Sequence, residues 1–241
     1  MKMLQTNFVV EFAGLTIEVE TVSPSACILC YDYLSNGKPD FKVSINEEDI
    51  RYEQLENAKC GRNNTDVYSQ TIAVYRKIVE KTLEYDMILL HGAVIAVGGE
   101  AYLFTAPSGV GKTTHIKQWL ANLSEAFVVN GDKPLIKITD MNAIACGTPW
   151  CGNEHLGTNT MVPLKAIVIL ERSEDNSMEE ISFLQAYKYL IQETYLPEDI
   201  SKAKTTLKLL KKLEGKVSFW YFRCNNFKDD CFKTAYDTLV N

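Results

Sequence analysis

Residues 100 to 122 of this 241-residue chain read "EAYLFTAPSGVGKTTHIKQWLAN", an apolar run that breaks into a glycine loop and passes straight into a helix-forming stretch. A strand feeding a loop that opens a helix is the first step of an α/β unit, whose neighbouring strands are reached through helices on the faces of a sheet. Within it, residues 106 to 113, "APSGVGKT", follow the phosphate-loop pattern G-x-x-x-x-G-K-[ST] except that Ala106 holds the first glycine position. That position closes the strand and does not touch phosphate, so alanine is tolerated there.

The pattern carries its own chemistry. Gly109 and Gly111 allow positive φ and turn backbone N–H groups inward, Lys112 reaches β- and γ-phosphates, and the Thr113 hydroxyl is a Mg²⁺ ligand. A helix starting at Lys112 adds its N-terminal partial charge to the same anion site. The expected phosphate-binding set is therefore Pro107, Ser108, Gly109, Val110, Gly111, Lys112, Thr113 and Thr114, with Lys112 exposed at a pocket. The alternative is an incidental glycine turn.

Phosphate-bound Mg²⁺ commonly takes a carboxylate from a neighbouring strand end, and Asp132 in "VVNGDKP" stands twenty residues after Lys112 in that role. Thr113 and Asp132 form the expected metal pair. Asn-Gly and Gly-Asp are also turn dipeptides, so a solvated turn is the competing reading. Lys133 is either exposed or meets a phosphate. His91, at the end of "MILL" and fifteen residues before Ala106, is a candidate acid or base, or else a packed strand histidine. The polar stretch "GTPWCGNEHLGTNTMVPL" offers Glu154, His155 and Asn159 to a substrate and Trp150 as an apolar face, or is a structured surface loop around a buried tryptophan.

Before the loop, residues 8 to 43 alternate apolar and polar in short runs, the pattern of half-buried antiparallel strands. A polar, acidic stretch follows from residue 46 to 64, then a helix beginning near Asp66. After the loop, apolar runs at 126 to 138, 143 to 150 and 164 to 172 read as strands. The last third alternates helices with the strand "VSFWYFRC". The division expected is a small β-rich unit over 1–64 and an α/β core over 65–241.

Composition bounds the rest. A formal net charge of −6 and a pI near 5.2 argue against gripping a nucleic-acid backbone. No apolar run is long enough for a membrane span and no signal-peptide core opens the chain, so a cytoplasmic location is expected. Seven cysteines are expected as reduced thiols. Cys27 and Cys30 form a C-x-x-C without a second pair or nearby histidine, and read as two packed strand residues more readily than as a zinc or redox site.

Together "LLHGAVIAVGGEAYLFTAPSGVGKTT" and "VVNGDKPLI" resemble the HPr kinase/phosphorylase family within the phosphoenolpyruvate-carboxykinase-like P-loop kinases, over roughly residues 87 to 170. His91 and Gly92 match the family's HG pair, Ser108 to Thr113 its loop, and Asp132 the second of two aspartates, while Gly131 stands where the first would be. The later E-V-R-G-x-G signature of the phosphorylase function is missing. The likeness is closer to small HPr-kinase-like proteins with an N-terminal β unit, some of which resemble serine kinases that tailor ribosomal peptides.

What the resemblance implies is an ATP- and Mg²⁺-dependent kinase with Lys112, Asp132 and His91 in catalysis. Its partners are a nucleotide and a hydroxyl acceptor on a peptide, protein or small molecule, with homo-oligomerisation left open. The base stays open among Asp132, His91 and the Glu154/His155 loop. A nucleotide-binding regulatory module without transfer is the competing function, and a decarboxylating carboxykinase is disfavoured by length.

Overall fold

The computed structural model describes residues 6–59, 61, 64–225 and 230–240, and the chain divides into two compact units, Met1–Thr82 and Leu83–Asn241. In the first, β1 (Asn7–Phe12) and β2 (Leu15–Glu20) form an antiparallel hairpin that buries alternate residues. Its two-residue turn has Ala13 and Gly14 both at positive φ, as a tight hairpin matched to strand twist requires. β3 (Phe41–Ser44) then pairs parallel to β2, which corrects the expectation of antiparallel strands throughout. Parallel neighbours need a crossover, supplied here by α1 (Ser25–Leu29) and a 3-10 turn at Tyr31–Tyr33. Cys27 and Cys30 lie on α1 and at its C-cap, not in a strand. Both are buried free thiols, as are Cys146, Cys224 and Cys231, with Cys151 half-buried; Cys60 lies outside the described residues.

The polar stretch after β3 is also helical, α2 (Glu47–Lys59), followed by α3 (Asp66–Thr82). Asn46 caps α2 by accepting from the N–H groups of Glu48 and Asp49, while Asp49 accepts from Asn46 N–H in return. α3 buries Ala73, Val74, Ile78 and Val79, and its Arg76 pairs with Glu53 at 2.6 Å and Asp49 at 3.3 Å on α2. That packing groups α3 with the first unit, so the division falls after Thr82 and not at 64/65. Three helices back the three short strands, and the unit is mixed rather than β-rich.

The second unit is α/β. Its strands are β4 (Met87–Leu89), β5 (Ala93–Val97), β6 (Glu100–Thr105), β7 (Phe127–Asn130), β8 (Leu135–Ile138), β9 (Ala143–Cys146), β10 (Met161–Arg172), β11 (Ser177–Ile181) and β12 (Ser218–Cys224), joined in one sheet. Its helices are α4 (Lys112–Asn122), α5 (Phe183–Glu193), α6 (Ile200–Lys211) and α7 (Asp230–Leu239).

β10 organises the sheet. Its first three residues pair antiparallel with β9, and the remainder runs parallel between β6 and β12. β5 and β7 continue the sheet antiparallel beyond β6. One core packs α5 and α6 through Ala186, Leu190, Leu209 and Leu210, and a second packs α4 and α7 through Ile116, Trp119, Cys231 and Ala235. Strand β5 is accordingly buried along its whole length, the mark of a strand covered on both faces. In such open sheets the carboxyl ends of parallel strands border the binding crevice, and here those ends carry the glycine loop after β6 and Arg172 at the close of β10. Among the described residues no helix is long and apolar enough to cross a membrane.

Candidate functional site

The glycine loop leaves β6 at Thr105 and enters α4 at Lys112, the strand, loop and helix expected from sequence. Gly109 (φ 84°) and Gly111 (φ 120°) occupy backbone regions that a side chain would strain, and the space around Gly109 is open. Among the described residues no side chain caps α4. Pro107, Ser108, Gly109 and Thr114 are exposed, Val110, Gly111 and Thr113 half-buried.

Lys112 departs from expectation. It is buried, and its Nζ donates to the Ala106 carbonyl at 2.6 Å, folding the side chain back across the loop that precedes it. Burial depresses its pKa, while the carboxylates of Glu193 and Asp132 oppose that shift. The first loop position therefore contributes a carbonyl, which alanine supplies as well as glycine.

Asp132 is not in a solvated turn. Its Oδ1 lies 3.1 Å from His91 Nε2 and its Oδ2 2.5 Å from Lys133 Nζ. The turn is built by Asn130, fully buried at the end of β7. Its Oδ1 accepts from the N–H groups of Asp132 (2.9 Å) and Lys133 (2.8 Å), and its Nδ2 donates to the carbonyl and hydroxyl of Thr148. Burial opposes ionisation of Asp132, but the His91 hydrogen bond and the Lys133 charge win, holding its pKa well below the usual carboxylate range.

His91 follows β4 and faces a second carboxylate, with Nδ1 2.6 Å from Glu193 Oε2. Its carbonyl accepts from the Thr105 hydroxyl at the foot of the glycine loop. Gly92 donates to the Asp132 carbonyl, and a Cβ there would sit 2.9 Å from the Phe104 carbonyl, so this half of the HG pair is fixed by close approach to β6. Burial lowers the His91 pKa, but the hydrogen bonds to Asp132 and Glu193 outweigh it and the net shift is upward. An imidazole facing carboxylates at both nitrogens is held as a donor at both.

Sequence reasoning missed Glu193. It closes α5, and residues 193 to 195 pair with 89 to 91 through Leu90↔Thr194, His91 N–H to the Glu193 carbonyl and Tyr195 N–H to the Leu89 carbonyl. No local pattern marks a contact 102 residues distant in sequence.

Gly131, the departure from the Asp-Asp pair, has a steric cause: a Cβ would lie 2.7 Å from the Cys151 carbonyl and 3.0 Å from that of Leu156. Loop 147–160 thus packs directly on the turn. Trp150 is buried within it and its carbonyl accepts from Lys133 N–H, so it presents no open apolar face. Glu154 pairs with Lys117 on the surface of α4 at 2.8 Å, and His155 and Asn159 are exposed. Among the described residues no group of three or more His, Cys, Asp or Glu side chains is arranged to hold a metal ion.

The chain matches no family profile and no curated protein.

Two outcomes follow. A raised His91 pKa stabilises the fold fully below the ordinary value of 6.5 and is lost as pH climbs through the higher folded value. Urea midpoints of the native chain should therefore fall as pH rises above about 6.5, and His91→Gln should flatten that fall; an equal slope in the variant would show that another group titrates. Gly131→Asp, which writes in the missing aspartate, should destabilise by about 1–3 kcal/mol through overpacking against the 151 and 156 carbonyls. A variant as stable as the native chain would mean that the loop yields.

Proposed function

We propose that the second unit is a Mg²⁺-dependent phosphotransferase of the HPr kinase/phosphorylase type, passing the γ-phosphoryl of ATP to a hydroxyl on a peptide, protein or small molecule. The observation that carries this reading is electrostatic. His91, Lys112 and Lys133 gather around two carboxylates, Asp132 and Glu193, in a partly buried cluster that adjoins the start of α4. Basic side chains are thus gathered where a helix N-terminus also favours an anion.

Residues 107–114 would take the phosphates, with Lys112 exchanging its Ala106 carbonyl for phosphate oxygens. Thr113 and Asp132 would hold Mg²⁺. Mg²⁺ is commonly bound by one or two protein groups plus phosphates, which this pair and the nucleotide would supply. When bound, the ion neutralises charge developing on the transferred group. Asp132 is the base favoured by the geometry, because His91 is already a donor on both sides. His91 then orients that carboxylate, Glu193 holds His91, and transfer rests on positioning and charge neutralisation.

Calorimetric titration with Mg²⁺-ATP tests the reading. Lys112→Met keeps the buried aliphatic stem and should weaken affinity by about tenfold or more, the scale of one charge-assisted phosphate contact; unchanged affinity would remove the loop from function. Asp132→Asn should leave metal-free ATP binding near the native level while abolishing the Mg²⁺ enhancement and transfer. Tight nucleotide binding without turnover on any hydroxyl acceptor, water included, would instead favour a regulatory module.

A further inference from the structure

The register of the parallel strands places Ile169 opposite Thr105, so Arg172, three residues on, ends β10 about 10 Å beyond the point where β6 turns into the glycine loop. Its guanidinium donates from Nε to the Val110 carbonyl at 3.0 Å and from Nη2 to the Gly109 carbonyl. In a planar trans peptide the C=O and the following N–H point opposite ways. Drawing the carbonyls of Gly109 and Val110 outward onto Arg172 therefore turns the N–H groups of Val110 and Gly111 to the other side. Of these, Val110 N–H closes a weak turn to the Pro107 carbonyl at 3.4 Å.

We propose that Arg172 is a positioning residue that sets the peptide planes of the glycine loop before any ligand arrives, so that its amides are arranged for a polyphosphate. The inference rests on the phosphate-binding reading above and adds to it a residue outside the loop pattern. A guanidinium suits the task because its planar fork presents parallel donors to adjacent carbonyls, whereas a lysine ammonium is a point charge without that fixed geometry.

Amide hydrogen exchange on the ligand-free full chain, followed by calorimetry with ATP, tests it. Arg172→Ala should speed exchange across 107–114 by about tenfold while strand residues 93–105 and the melting temperature stay at native values, and ATP affinity should fall by about the same factor. Arg172→Lys should likewise keep the native melting temperature and recover loop protection and affinity only in part. Unchanged loop exchange in Arg172→Ala overturns the proposal, even if affinity drops, since Arg172 would then act on the ligand directly. Faster exchange with native affinity overturns it too, because the loop's prior order would not serve binding. If the native chain binds no ATP, the phosphotransferase reading fails, yet the exchange comparison still decides whether Arg172 orders the loop.

Discussion

The candidate site depends on one side-chain amide, that of Asn130. It is wholly buried, and a buried amide left unpaired is costly, so its orientation is forced by the groups around it. Two backbone N–H groups, from Asp132 and Lys133, point at one end, and two oxygens of Thr148 at the other. Flipping the amide would set two donors against two donors and leave the oxygens facing oxygen. The Thr148 hydroxyl completes the circuit by donating to the Lys133 carbonyl. The turn at 130–133 is thereby locked, Asp132 is aimed at His91, and Gly131 is pressed under the 151 and 156 carbonyls, where no side chain fits.

Much of the second unit was legible in sequence because its signals are local. The run "EAYLFT", the glycines with positive φ and the amphipathic helix after them each follow from residues within a few positions of one another. Asp132 and His91 were singled out by position relative to that loop, and the structure brings their side chains into contact. The misses have two physical sources. α2 was passed over because it is polar nearly all round, held by ion pairs to Arg76 and Lys77 instead of by an apolar stripe; its local signals were Asn46 with Asp49 three residues later, a capping pair, an acidic first turn and Lys59 in the last. The parallel β2–β3 pairing and the Glu193 contact are long-range choices, which alternation and spacing do not encode. Lys112 was misjudged as exposed because its ammonium turns back onto the Ala106 carbonyl, a contact that the loop pattern does not encode.

Glu193 changes what His91 can do. Alone beside Asp132, a neutral imidazole would serve as a base through its free nitrogen. Between two carboxylates, losing the proton would set a bare nitrogen lone pair against a carboxylate at 2.6 or 3.1 Å, so the two acids hold the imidazole's pKa above its ordinary value in spite of its burial. The His91 hydrogen bond and the Lys133 charge together keep Asp132 ionised against the burial that opposes it. Glu193 acts on Asp132 only through that histidine, holding the ring from the far side so that its second nitrogen meets the aspartate's oxygen.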